Sequence, residues 1–197
     1  LIDMNVGPLR DEAIRWADYV FISAMAVQKE SAQEVIERCK KLGTKTVVGG
    51  PLFTADPDAF DGVDHLVLNE AEVTFPRFLA DLQKETAQHI YTTPDWPDLR
   101  GTPIPLWGLL NMKDYASMNI QYSRGCPFNC EFCDIIVLNG RVPRTKGMEQ
   151  IVAELASLYD HGWRGPLFFV DDNFIGHRKK LKAEILPAII AWQKERK

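Results

Sequence analysis

Three of the four cysteines stand in one short loop, Ser123-Arg124-Gly125-Cys126-Pro127-Phe128-Asn129-Cys130-Glu131-Phe132-Cys133. Their spacing, C-x3-C-x2-C, allows three thiolates to turn toward one centre. Iron–sulfur clusters are held by such thiolates. A structural zinc ion is the main rival, and it takes four protein ligands. No fourth Cys or His follows at a zinc-ribbon spacing; His161 and His177 are the next histidines, and neither sits in a paired motif. The ligand count favours a cluster with one iron open to an incoming group, with zinc or an unliganded loop as the alternatives. Gly125 eases the turn out of the element before the loop. Cys39 stands apart in a helical pattern and reads as a small hydrophobe.

The loop needs elements to place it. Residues 117–122 read as a strand that runs straight into it. Residues 148–159 read as a helix with Ile151, Val152, Leu155 and Leu158 on one face. Residues 165–170 form a strand ending in Asp171-Asp172-Asn173, and 182–194 a last helix. Polar groups at a strand's C-terminal end suit ligand binding in an α/β fold, although Asp and Asn also cap helices and close turns. Arg141, Arg144 and Lys146 flank the loop, and Arg144 or Lys146 is placed to meet a carboxylate. Arg178, Lys179, Lys180 and Lys182 read as a solvated helix start.

Further upstream, short apolar runs at 18–23, 46–50 and 63–68 alternate with helical patterns at 31–42 and 75–82. Alternation of this kind signals a parallel sheet with crossover helices. Gly43 stops the first of those helices. Ser23 ends one strand and Gly49-Gly50 another; paired glycines let a bulky group approach the backbone, or simply close a tight turn. Between the two α/β stretches, Pro94, Pro97, Pro103 and Pro105 with Trp96 and Trp107 suggest an ordered linker that packs its aromatics against a domain surface. The expected organisation is a first domain over 1–85, a linker over 86–116 and a second domain over 117–197.

Bulk properties narrow the function classes. The net charge of −4 argues against a general nucleic-acid binder. No apolar run approaches the ~20 residues that span a bilayer. Clustered rather than scattered cysteines point to a metal site in a reducing compartment, hence the cytoplasm. Leu1 is not a natural start, so an upstream segment is expected.

Strand, C-x3-C-x-F-C and helix together resemble the radical S-adenosylmethionine superfamily. The resemblance implies a [4Fe-4S] cluster on Cys126, Cys130 and Cys133, whose open iron binds the amino and carboxylate groups of S-adenosylmethionine. It places Phe132 near the adenine and Asp171-Asp172-Asn173 near the methionyl amine, where the superfamily more often has Gly-Gly-Glu. It also implies a partial (β/α)6 barrel, of which two strand–helix units are here. The first domain is similar to the flavodoxin-like (Rossmann-type) cobalamin-binding domains that precede many such barrels. In that family Ser23 matches a serine near the nucleotide tail, Gly49 and Gly50 the glycines that make room for it, and Asn69-Glu70 a Gly-Glu pair. The D-x-H-x-x-G motif that supplies a cobalt ligand is not found, and the family's first strand and helix would lie before Leu1. The chain is thus expected to be truncated at both ends.

The strings Gln121–Ile135, Gly140-Arg141-Val142-Pro143-Arg144 and Phe169-Val170-Asp171-Asp172-Asn173 bring the likeness closest to the hopanoid methylases. The implied activity is cobalamin-dependent methyl transfer to an unactivated carbon of a lipid or other small molecule. An electron donor such as flavodoxin or ferredoxin is implied as partner. The alternatives are a non-methylating rearrangement or cyclisation by the same cofactors, or a zinc-stabilised binding module without activity. No residue is identified as catalytic.

Overall fold

The computed structural model describes residues 1–196, leaving Lys197, the end of the expected second domain, outside them. The chain divides into two compact units: Gly7–Pro97 with Ile2, and Asp98–Lys197 with Leu1 and Asp3–Val6.

The first unit runs α1 (Asp11–Trp16), β1 (Tyr19–Ser23), α2 (Lys29–Leu42), β2 (Lys45–Gly49), α3 (Pro51–Ala55), β3 (His65–Val67), α4 (Ala71–Gln83) and β4 (Ile90–Tyr91). Its strands pair in parallel in the order β1-β2-β3-β4. Helix α2 forms because Ala32, Val35, Ile36 and Cys39 recur at helical spacing, and all four are buried. Gly43 ends it in the left-handed region at φ 74°, its N–H donating to the Cys39 and Lys40 carbonyls. Strand β2 is covered on both faces. Val48 packs with Ile36, Leu52, Phe53 and Leu66, while Val47 packs with Val67, Phe78 and Tyr91. Covering both faces explains the unbroken apolar run in a strand whose side chains alternate.

Two elements differ from expectation. Helix α4 begins about a turn early, at Ala71, and carries Pro76 inside it. Pro76 is the sixth residue of the helix, past the first turn, so the helix forgoes one internal N–H bond there and is held through it by the burial of Thr74 and Phe78. The segment 86–116 is ordered and packs its aromatics as expected, but it is divided between the two units instead of standing as one linker. Ile90–Tyr91 extends the first sheet, and the buried Tyr91 donates its hydroxyl to Asp81 Oδ2 at 2.9 Å. Trp107 is buried in the second unit with Met118 and Leu158. Large aromatic rings bury more apolar area than a solvated linker leaves exposed, so each half docks on its own core.

The second unit contains β5 (Met118–Ile120), β6 (Ser123–Arg124), α5 (Ile135–Leu138), β7 (Arg144–Thr145), α6 (Met148–Asp160) and β8 (Leu167–Phe169). It ends in one helical rod made of α7 (Arg178–Lys180), a π-helical turn (Leu181–Ile185) and α8 (Leu186–Glu195). Strands β5 and β8 pair in parallel, with Ile120 opposite Phe169. Strands β6 and β7 form an antiparallel pair. The core joins Ile120 and Tyr122 to Ile151 and Leu155 of α6 and to Leu181 and Ile185. The widened turn precedes Pro187, which has no N–H for an α-helical bond; widening accommodates its ring. Among the described residues, no helix is long and apolar enough to cross a membrane.

Gly49 is the tightest point of the first sheet. A Cβ there would stand 2.6 Å from the Val67 carbonyl oxygen of the adjacent strand. Gly49→Ala is expected to cost about 1–3 kcal/mol by overpacking. A urea unfolding midpoint equal to that of the parent chain would contradict this.

Candidate functional site

Strand β5 delivers the chain to the cysteine loop, and β8 ends beside it because the two strands are parallel and in register. The contacts at this shared C-terminal end are specific. Asp171 accepts hydrogen bonds from the Tyr122 N–H at 3.2 Å, from the Ser123 N–H and from the Ser123 hydroxyl at 2.6 Å. Asp172 Oδ2 accepts from the Gly125 N–H and from Asn139 Nδ2, both at 2.8 Å. Asn173 Nδ2 donates to Cys126 Sγ at 3.7 Å. Asp171 and Asp172 thus spend carboxylate oxygens on bracing the loop, a role the sequence reading did not assign. Burial pushes the Asp171 carboxyl above the usual range, outweighing the bonds from Ser123 and Tyr122 that pull it down.

Gly125 is required twice over. Its φ is 91°, in the left-handed region. A Cβ would also stand 2.9 Å from the carbonyl oxygens of Asn139 and Val142 and 3.1 Å from that of Gly140. The Cys126 N–H donates to the Gly140 carbonyl at 3.1 Å, so residues 139–142 wrap the loop's entrance. The Cys133 N–H donates to the Cys130 carbonyl at 3.1 Å and closes a turn between those two cysteines. All three thiols are free, Cys130 exposed and the other two half-buried. Phe132 presents its ring almost wholly to solvent, at 91% exposure.

Among the described residues, no three His, Cys, Asp or Glu side chains gather tightly enough to hold a single metal ion. Ligands of one zinc ion all lie ~2.3 Å from the same atom, so they crowd together. Free thiols on a braced loop, one of them with an amide donor at its sulfur, are ligands of a kind that iron–sulfur clusters and zinc both use.

Lys146 departs from its expected availability. Its ammonium is buried and bonded to Glu154 Oε1 at 2.5 Å, with Glu154 itself fully buried on α6. Its N–H also donates to the Tyr122 carbonyl at 2.9 Å. It is therefore occupied inside the unit and does not offer charge to a ligand. Burial raises the Glu154 carboxyl above the usual range, more than the Lys146 bond lowers it. Arg144 Nη2 donates to the Asn139 carbonyl at 2.9 Å. Lys180 Nζ donates to Thr145 Oγ1 at 3.0 Å, so this cation of the expected solvated group also ties the final helix to β7.

In the first unit, the strand ends bring the other expected residues to one edge. Ser23 lies opposite Gly49, and Gly49 opposite Val67. Ser23 is exposed, and its hydroxyl is 2.7 Å from where a Gly50 Cβ would be. Gly50 has φ 87° and precedes α3. Asn69 follows β3 at φ 63°, which explains how Asn replaces the glycine of the resembled family: it tolerates the left-handed region better than other side chains. Its Oδ1 accepts from the Thr92 hydroxyl at 2.7 Å and the Thr93 N–H at 3.1 Å, and its N–H donates to Thr54 Oγ1 at 3.0 Å. Glu70 beside it is buried. Thr54, Thr92, Thr93, Ser123 and Asn139 were not singled out in the sequence, because lone hydroxyls and amides carry no periodic signal.

The first unit has the parallel, Rossmann-like sheet of a cobalamin-binding domain, and residues 1–79 match the family model described as B12 binding domain. The chain as a whole is a relative of the hopanoid C-2 methylase of Rhodopseudomonas palustris, 38% identical over 197 residues, with 98% of this chain and 37% of that protein covered. It is 45% identical to an uncharacterized methyltransferase of Synechocystis sp., over 99% of this chain and 37% of that protein. The chain thus spans 37% of the length of each of these two relatives. The solved structure of the radical S-adenosylmethionine methyltransferase TsrM from Kitasatospora setae shares the fold. Its TM-score is 0.73 at 15% identity, over 94% of this chain and 43% of that one.

The buried ion pair makes a clear prediction. Glu154→Leu is expected to cost about 3–5 kcal/mol by stranding the Lys146 ammonium, and adding Lys146→Met is expected to recover most of it. Because the folded Glu154 pKa lies above its unfolded value of about 4.3, the parent's stability should fall relative to the double variant as pH rises through that interval. Urea titrations near pH 4 and 7 measure both effects; equal differences at the two pH values would refute the assigned direction.

Proposed function

We propose that this chain is part of a cobalamin-dependent radical S-adenosylmethionine enzyme that methylates an unactivated carbon of a lipid or other small molecule. The observation that carries the reading is the free cysteine trio on a loop braced at the C-terminal end of a parallel strand pair, downstream of a B12-binding domain. The names of the relatives, a hopanoid methylase and a methyltransferase, support methyl transfer and suggest the lipid.

Bound to these residues, a cluster supplies an electron to S-adenosylmethionine and cobalamin supplies a transferable methyl group. Cys126, Cys130 and Cys133 are the cluster ligands in this reading. Gly125 lets the chain pass beneath the carbonyls of residues 139–142, and Asp171 and Asp172 hold the loop's entry against β8. Phe132, exposed, offers a flat surface to an adenine. Asn173 is the one member of its trio whose amide reaches a cysteine sulfur. In the first unit, Ser23, Gly49 and Gly50 leave an edge without side-chain bulk for the cobalamin tail, with Asn69 and Glu70 shaping its far side. The second unit is the beginning of a partial (β/α)6 barrel, with the exposed Phe168 facing what such a barrel encloses. A low-potential donor such as flavodoxin or ferredoxin in the cytoplasm completes the scheme.

Anaerobic reconstitution with iron and sulfide, followed by electron paramagnetic resonance with and without S-adenosylmethionine, tests this reading. Iron and sulfide uptake is expected, with a signal perturbed by S-adenosylmethionine, and lost on changing Cys126, Cys130 or Cys133 to Ala. Zinc bound in place of iron, or a cluster intact in any of the three variants, would eliminate it. Hydroxocobalamin is expected to bind with a shift in its visible spectrum. S-adenosylhomocysteine as product marks methyl transfer; its absence beside 5′-deoxyadenosine would favour a rearrangement.

A further inference from the structure

We propose that Asn173 sets the reduction potential of a cluster held by Cys126, Cys130 and Cys133, by donating an N–H···S hydrogen bond to the Cys126 sulfur. The inference rests on the cluster reading above and assigns a role to one side chain of this chain. Its starting point is the 3.7 Å separation between Asn173 Nδ2 and Cys126 Sγ, a hydrogen bond by the larger radius of sulfur. A thiolate only accepts, so it is the NH2 end of the amide that must face it.

The donor is held in place before any cluster binds. The Asn173 carbonyl accepts from the Gly176 N–H at 3.0 Å. Asp171 and Asp172, immediately before it, are tied to residues 122, 123, 125 and 139. The Cys126 backbone is fixed from the other side by its bond to Gly140. Both ends of the N–H···S contact are thus pinned by backbone bonds, and little freedom is lost in forming it.

The turn carries two opposing influences on the site. Asp171 and Asp172 bring carboxylates, which disfavour added negative charge. Asn173 brings a donor that interacts more strongly with the sulfur as the cluster gains electron density. Hydrogen bonds to the sulfurs are among the levers that set cluster potentials. Uptake of one electron adds one negative charge without a proton, so a donor at a ligand sulfur stabilises the reduced form and raises the midpoint. Removing it lowers the midpoint.

The test is a potentiometric titration, followed by electron paramagnetic resonance, of the whole reconstituted chain and its Asn173→Leu and Asn173→Asp variants. Iron content and circular dichroism verify loading and fold. Asn173→Leu is expected to shift the reduction equilibrium about tenfold toward the oxidised form, ~59 mV for one electron. Asn173→Asp, near-isosteric and lacking the donor, is expected to shift it further in the same direction. A loaded Leu or Asp variant with its midpoint at or above that of the parent overturns the proposal. So does failure of both variants to load while their dichroism matches the parent, since Asn173 would then serve assembly rather than potential. A parent chain that takes up no iron and sulfide overturns instead the cluster reading beneath it.

Discussion

The acceptance of backbone N–H groups by the two carboxylates at the end of β8 is the constraint on which the second unit's site depends. Asp171 takes the N–H groups of Tyr122 and Ser123, and Asp172 takes that of Gly125. These are the residues that carry the chain from β5 into the cysteine loop. Without such acceptors, donors in a buried stretch would go unpaired, at a cost of about 1–3 kcal/mol each. Charge-assisted bonds of this kind are short and directional, so they position the loop as well as stabilise it. The arrangement has a cost of its own, because Asp171 is partly desolvated and its ionised form is disfavoured. Ser123 offsets part of that cost with two bonds to one carboxylate.

The wrapping of residues 139–142 around Gly125 follows from the same constraint. Asp172 holds Asn139 as well as Gly125, so the return segment of the loop is tied to its entry. The space left between them admits no side chain, and glycine is the one residue that meets both the steric and the dihedral demand. Deeper in the unit, the Lys146–Glu154 pair joins the segment after β7 to α6. Buried ion pairs are weak sources of net stability but costly to break on one side. Here the pair links the end of β7, whose pairing with β6 closes the segment that holds the cysteine loop, to helix α6.

The first unit solves a different problem with similar means. A parallel sheet ends in free strand termini, and what occupies those termini decides what the edge can accept. Ser23, Gly49 and Gly50 keep the termini of β1 and β2 small. Asn69 turns the chain sharply after β3 and takes the backbone and hydroxyl of the segment after β4 onto its own side chain. Small residues beside an anchored Asn69 side chain leave this edge open.

Much of this was legible in the chain as a string. Helical spacing in 31–42 and 148–159 and the apolar run at 46–48 each depend on neighbours in sequence, and each appears where expected. Gly43 and Gly125 were legible for the same reason, since the left-handed turn is a local demand. That residues 86–116 pack their aromatics on a surface was legible, but which core each of Tyr91 and Trp107 joins was not, because those surfaces are built by distant segments. The engagement of Lys146 with Glu154 was hidden as well: a basic residue beside a loop reads as exposed until a helix is laid against it. The turn Asp171-Asp172-Asn173 shows the division most clearly. Its residue types marked it as polar chemistry at a strand end, but the direction of each side chain followed from the parallel pairing of β5 with β8. Local spacing dictates what an element can be, and long-range pairing, which no local pattern encodes, decides which groups face each other.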